Sequence, residues 1–519
     1  MSRKGRSEPV LTPADSERGA RIGRAVGAAL VLLALTATAL AAQEARPLGL
    51  DEAIRLAKRN NPTYRITAND QAAADWGVRE AYGNLLPTVN AGGSASYTEA
   101  GVQRFGTVDL GVQSTDWYSS GYSLSFNWGI DGRSIFGVSS ARAAQESTAA
   151  GIRSAEFDLE NRVTLQYMAA LRARDAVGVA RDQYDRAAQN RDLVQTRVAM
   201  EDVAATEGRQ AEVDLGRAEV ALLQAERLSR AERLRLMEQL GEVIDEELEL
   251  VSEFEVFEPT WSVDELLAEA LGAHPSLRAA RAQEGSSRAQ VRQARSAYFP
   301  SINVSTTLRG FTQQALNEDF IVNSVTGQMQ GALASCEQNN ALANSIGGPW
   351  SPRDCSPFMS SDGAVQDALA QNEAFPFDFT KNPLSLNLSV SLPVFQGFSR
   401  QRQVEEAEAA ADDASHLRRQ EELRLRTAVT QSLDNLESAY RQVQIEGRNQ
   451  DLATQRLTEA QQRYEVGNTS VLELMDAQTS LTTAQRDYLI AVYGFHQALV
   501  ALQASTGRTL RPGAQPDAP

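Results

Sequence analysis

The chain has 519 residues, a formal net charge of −17 and no lysine-rich tract, which argues against nucleic acid as a partner. Its three histidines, His274, His416 and His496, have no ligand-like neighbours, and no HExxH, GxSxG, Walker or GxGxxG motif is present. The sequence therefore does not read as an enzyme, and no metal or other cofactor is expected.

At the N-terminus, Arg18, Arg21 and Arg24 precede the apolar run Ala25 to Leu40, and Ala39-Leu40-Ala41 offers a small-x-small cleavage site. These are the parts of a secretory signal peptide, assigned to residues 1–41. The alternative is a membrane anchor, but the run is about 16 residues against the ~20 needed to span. No later apolar run is long enough for a spanning helix. A mature chain that enters a membrane must therefore do so as a β-barrel.

The mature chain is one unit written twice. Leu50-Asp51-Glu52-Ala53-Ile54 returns as Val263-Asp264-Glu265-Leu266-Leu267, Pro62 as Pro275, Pro87 as Pro300, Arg197 as Arg463 and Gly241 as Gly507. Repeat 1 is assigned to 42–241, a linker to 242–260, repeat 2 to 261–507 and a flexible C-terminal tail to 508–519. Each repeat opens with a helix, Leu50–Leu86 or Val263–Phe299, stopped by the proline that follows it.

Next come alternating segments. Val89, Ala91, Ala95 and Tyr97, then Tyr122, Leu124, Phe126, Trp128 and Ile130, fall on alternate positions with polar or small residues between them. Repeat 2 does the same at Ile302, Val304, Thr306 and Leu308, and from Leu384 to Val394. Period two marks strands with one apolar face. About 10 residues each is the length that crosses a bilayer when tilted. Loops are expected between the strands. In repeat 2 the loop is a polar insertion, residues 312–382, assigned to the cell exterior because the outward loops of barrels are the long ones. Cys336 and Cys355 lie in it and are expected to pair in an oxidising compartment, two free thiols being the alternative.

A long helix follows each strand pair, about 133–197 and 399–463, then a turn and a returning helix. The second carries the stripe Leu425, Val429, Leu433, Leu436, Tyr440 and Val443, resuming after its turn at Leu472, Met475 and Leu481. Such an arm is about 100 Å long at 1.5 Å per residue. The linker, acidic with alternating Leu and Phe, suits a small strand or belt element. Four strands cannot close a barrel, for which about eight is the smallest size. Open edges in lipid are costly, so other chains must complete the sheet. Three copies give twelve strands.

The order of parts resembles the TolC-like outer-membrane efflux proteins. Leu85-Leu86-Pro87 and Tyr298-Phe299-Pro300 resemble the "LP" that leads into each outward strand of that family. Leu392-Pro393-Val394-Phe395-Gln396-Gly397 resembles its "LPLFDGG" before the long helix, and Arg463-Tyr464-Glu465-Val466-Gly467 with Leu472 to Gln478 resembles its "RYxxG…LLDAQ" tip. The resemblance implies a membrane α/β-barrel fold: a trimer whose twelve strands form one outer-membrane barrel and whose helices form a periplasmic coiled-coil tunnel. It implies an exit duct served by a periplasmic adaptor and an inner-membrane pump, in efflux or type I secretion. The matching pore-constriction positions are Glu473 and Asp476, and the adaptor-docking tips are Gly467 and Asn468 in repeat 2 and Glu201 and Asp202 in repeat 1. Repeat 1 departs from the family's glycine-bearing turn, since Ala199-Met200-Glu201-Asp202-Val203 has none. From another class, the competing reading is a periplasmic coiled-coil scaffold.

Overall fold

The computed structural model describes residues 46–510 except 106–107, 114, 243–247, 252–253, 348–350, 374 and 509. The predicted signal peptide and most of the C-terminal tail lie outside the described residues. In chain order the elements are β1 (Arg46–Leu48), α1 (Leu50–Asn60), α2 (Pro62–Gly83), β2 (Thr88–Thr98), β3 (Val102–Phe105), β4 (Val108–Gln113), β5 (Trp117–Ile130), α3 (Gly132–Ala199) and α4 (Ala205–Leu240). Then come β6 (Leu248–Leu250), α5 (Val263–Ala273), α6 (Pro275–Arg295), β7 (Ser301–Ala315), α7 (Glu318–Ile346), α8 (Asp362–Asn372), β8 (Thr380–Lys381), β9 (Ser385–Ser391), α9 (Ser399–Glu465) and α10 (Val471–Thr506). Among the described residues two compact units result, one within 46–69, 151–277 and 421–510, the other within 70–150 and 278–420.

The first unit is helical and has three cores. Leu159, Val163, Tyr167 and Leu171 of α3 pack with Ala53 of α1 and Leu236 and Leu240 of α4. Val429, Leu433 and Leu436 of α9 pack with Leu266 of α5 and Phe495 and Leu502 of α10. Near the hairpin turns, Val194 of α3 and Leu457 and Tyr464 of α9 enclose Leu474 and Leu481 of α10. The stripe read along α9 is thus the buried one. Leu472 is an exception and is exposed; Leu474, two residues on, takes the core position.

Each short opening helix is broken in two where the sequence reads one helix. The breaks fall at Asn61-Pro62 and His274-Pro275, where proline lacks an N–H and crowds its predecessor. Into each break comes the end of a returning helix. Gly241, the αL cap of α4 at φ 72°, lies so close that a Cβ there would be 2.4 Å from the Asn60 carbonyl oxygen. The Asn61 amide donates to the Gln239 carbonyl at 2.8 Å. In repeat 2, Gly507 caps α10 at φ 81° and His274 Nε2 lies 2.9 Å from the Ala504 carbonyl oxygen. The linker forms the expected small strand: β6 pairs in parallel with β1.

In the second unit β2, β5, β7 and β9 form an antiparallel meander. The register aligns Val89 with Phe126 and Ala91 with Leu124, Trp128 with Val304 and Ile130 with Ile302, and those in turn with Leu388 and Val390. Directly opposed residues share a face, so the apolar positions of all four strands form one continuous surface. The other face aligns Asn90, Ser125, Thr307 and Ser385.

Two regions read as loops hold structure. Between β2 and β5, β3 and β4 form a hairpin. The insertion contains α7 and α8, and β7 runs to Ala315, into the insertion's first residues. No proline interrupts 318–346. Asn317 caps α7 by accepting from Asp319 N–H. A composition rich in Asn and Ser hid this helix, because their side chains bond the backbone in competing turns unless a cap and packing oppose them. Cys336 and Cys355 form a disulfide, Cα to Cα 5.9 Å.

Candidate functional site

The two hairpin turns use the same backbone solution with different residues. At the end of α9, Gly467 N–H donates to the Tyr464 carbonyl at 3.1 Å and Asn468 N–H to the Arg463 carbonyl at 2.8 Å. At the end of α3, Glu201 N–H donates to Val198 at 3.1 Å and Asp202 N–H to Arg197 at 3.0 Å. This bond pair is the Schellman ending, which needs a left-handed residue. Gly467 supplies it at φ 75°, and Glu201 adopts it at φ 62°. A side chain in that region is strained, so the missing glycine leaves the turn intact at an energetic cost. The next helix starts also differ. Ser470 caps α10 by accepting from Glu473 N–H, whereas Ala204 before α4 offers no side-chain cap. Gly467, Asn468, Glu201 and Asp202 are all exposed.

Glu473 and Asp476 both lie in the first turns of α10, three apart and on one face. Each meets an arginine of α9 in the same hairpin. Glu473 accepts from Arg463 at 2.9 Å and from the Thr469 hydroxyl. Asp476 accepts from Arg456 at 2.5 Å. These pairs are solvent-exposed, a setting in which an ion pair contributes at most about 1 kcal/mol. The hairpins are also joined to each other. The Arg197 guanidinium lies 4.4 Å from the Tyr464 ring centre and donates to the Glu465 carbonyl at 3.1 Å. Arg197 and Arg463 are repeat equivalents, yet one reaches across to the other hairpin and the other stays within its own. Sequence reasoning singled out the carboxylates and missed the arginines that face them. Arg463 stands inside the tip motif, but nothing in the motif says which way it turns.

Elsewhere in this unit, a cavity of about 860 Å³ is lined by Phe157, Phe254, Phe257, Glu160 and His496. His496 is buried against Phe254 and Phe495, and burial pushes its pKa down to about 4. On α10, Tyr493 donates to Asp175; burial first, then that carboxylate, raises the phenol's pKa. Among the described residues no cluster of His, Cys, Asp and Glu could hold a metal ion, and no helix is long and apolar enough to cross a membrane.

The sheet belongs to the second unit. Its edge strands β2 and β9 are exposed along their whole lengths, and on β9 Leu386, Leu388 and Val390 are each about two-thirds exposed or more. An apolar face of four strands left largely exposed within its own chain needs a partner, lipid or protein.

Paired strands with a largely exposed apolar face, together with long helical hairpins, are the parts from which β-barrels with helical tunnels are built. Comparison with known proteins adds to this. Residues 266–341 and 360–508 match the model of the outer membrane efflux protein family. The fold is that of the Campylobacter jejuni CmeC outer membrane channel (TM-score 0.65, 14% identity, covering 90% of this chain and 87% of that one). It is also that of the open-state Neisseria gonorrhoeae MtrE outer membrane channel (0.63, 18%, 89% and 89%) and of the Vibrio cholerae outer membrane protein VceC (0.61, 16%, 88% and 96%). No curated protein sequence matches the chain. The family's model is thus matched within repeat 2, and the fold shared with these outer-membrane channels extends across both repeats.

Proposed function

We propose that three copies of this chain close one twelve-stranded barrel and form the exit duct through which a periplasmic adaptor and an inner-membrane pump discharge their substrate outside the cell. The class is that of an outer-membrane efflux channel. The observation that carries the assembly is the sheet: four antiparallel strands, two open edges and one continuous apolar face. Closure satisfies the edges, and lipid covers the face. The helices supply a second argument. Val213, Val220, Leu223 and Leu234 of α4 are exposed, and their spacing of seven, three and eleven keeps them on one side of the helix. That stripe suits a neighbouring subunit's helix. Detergent-purified protein should run at three chain masses and give discrete conductance steps in planar bilayers. A monodisperse monomer without conductance would overturn the reading.

Within this duct, Glu473 and Asp476 are read as the carboxylate rings of the periplasmic constriction, and the turns at Glu201-Asp202 and Gly467-Asn468 as the surfaces that meet the adaptor. Rings of carboxylates attract and hold multivalent cations. Arg463 and Arg456 offset part of that charge. Replacing Glu473 and Asp476 with alanine should weaken block by a trivalent cation in single-channel recordings, and Arg456→Ala with Arg463→Ala should strengthen it. Block that ignores both pairs removes them from the constriction.

A further inference from the structure

The insertion does not only lead away from the sheet. Its returning segment, Phe375-Pro376-Phe377-Asp378-Phe379, lies back across one end of it. The Phe375 ring stacks on Tyr118 with centres 5.9 Å apart, and Phe379 meets Tyr122 edge-on at 5.1 Å. Between them the Ser120 hydroxyl donates to the Pro376 carbonyl at 2.6 Å. The segment then joins β7 through β8. Upstream it is fixed by Asn372, whose buried amide accepts from Ala315 N–H at 2.6 Å and donates to Ala315 O at 2.9 Å.

Which face the segment covers decides what it does. Tyr118, Ser120 and Tyr122 alternate in phase with Leu124, Phe126, Trp128 and Ile130 on β5, so they lie on the apolar face and not on the polar one. The height matters as well. From Ile130 to Tyr122 the strand rises about 26 Å, and to Tyr118 about 40 Å; at a barrel tilt near 40° these become roughly 20 and 30 Å. A lipid-facing apolar band is about 25 Å tall, so the segment falls at its upper rim. There Phe377 is 81% exposed, and Tyr97 packs beside Tyr118 at 5.3 Å. Aromatic rings collect at this level because one end favours hydrocarbon and the other water.

We propose that Phe375–Phe379 is a membrane strap: it seats at the headgroup–acyl boundary of the outer leaflet, with Phe377 in contact with lipid, and extends the barrel's aromatic rim outward from the strands. The insertion is thereby clamped to the lipid side of the rim, and its occupant is a lipid surface. This rests on the reading that the Leu124–Trp128 face meets lipid, and the test separates the two.

The probe is Phe377→Cys labelled with an environment-sensitive fluorophore, in full-length protein reconstituted in phosphatidylcholine vesicles. Cys336 and Cys355 are joined in a disulfide and do not compete for label. Nitroxide is carried on the lipid headgroup, high on the acyl chain or at its end. Leu388→Cys and Asn387→Cys report the two sheet faces at mid-strand. The strap predicts at least twofold quenching at 377 by headgroup and shallow-chain nitroxide and little by the chain-end label, with Leu388 quenched by chain labels and Asn387 not. Quenching at 377 only by a water-soluble agent, with Leu388 still quenched from the chain, overturns the strap and leaves the lipid-facing reading standing. No lipid quenching at Leu388 overturns both.

Discussion

The contrast between Glu201 and Gly467 isolates one backbone choice in two copies of the same turn. Both carry the same pair of closing bonds, but only glycine is unstrained at positive φ. Glu201→Gly should stabilise the repeat 1 tip by about 1 kcal/mol, and Ala204→Ser, which restores the cap present at Ser470, by a further ~1 kcal/mol. Hydrogen exchange of amides 196–208 should slow in both variants. His496 makes a second residue-scale prediction. Its folded pKa is about 4 against an unfolded 6.5, so unfolding takes up a proton between those values. Stability is full above about pH 6.5 and falls as pH drops toward 4, by up to about 3 kcal/mol per chain. His496→Leu should flatten the pH dependence of the denaturation midpoint over that window. An unchanged slope would show that the imidazole is not the titrating group.

At the scale of elements, the junction of broken and returning helices is the structural joint repeated in both copies. Gly241 is needed there twice over, for its φ of 72° and because a Cβ would meet the Asn60–Asn61 backbone. At Gly467 only φ matters, since nothing lies within 4 Å. Gly241→Ala should therefore cost more than Gly467→Ala, about 3 kcal/mol against about 1. Denaturant midpoints of the two variants give the comparison, and equal losses would mean that the close approach at Asn60 relaxes freely. The matched prolines Pro62 and Pro275 each mark a break, although the helical periodicity on either side reads as one helix through both. What the sequence did not supply was the partner at the break, because Gly241 and Asn61 are remote in the chain.

At the scale of the whole molecule, the sheet ties the fold to the membrane. Arginine at Leu388, on the bare apolar face, should cost about 2–4 kcal/mol per chain on transfer to lipid, multiplied by three in a trimer. Asn387→Arg, one residue away on the other face, should be tolerated. The fraction of trimer recovered from outer-membrane extracts measures both, and equal recovery would mean that the two faces are not divided between lipid and lumen. The compartment was implied in the sequence by the apolar N-terminal run read as a signal peptide; alternating strands by themselves fit an ordinary half-buried sheet as well.

The sequence by itself determined the four strands and their apolar faces and the extents of α3 and α9 to within two residues. Those are features of period and spacing, which local chemistry writes directly into residue order. Only the tertiary structure decided that Arg456 and Arg463 face the tip carboxylates, that Glu201 bears the left-handed turn, and that the insertion folds into helices whose return segment clasps the sheet. Each of these depends on which side chains meet across a hairpin or from distant parts of the chain. Such meetings are fixed by packing of the whole unit, and no periodicity in the sequence encodes them.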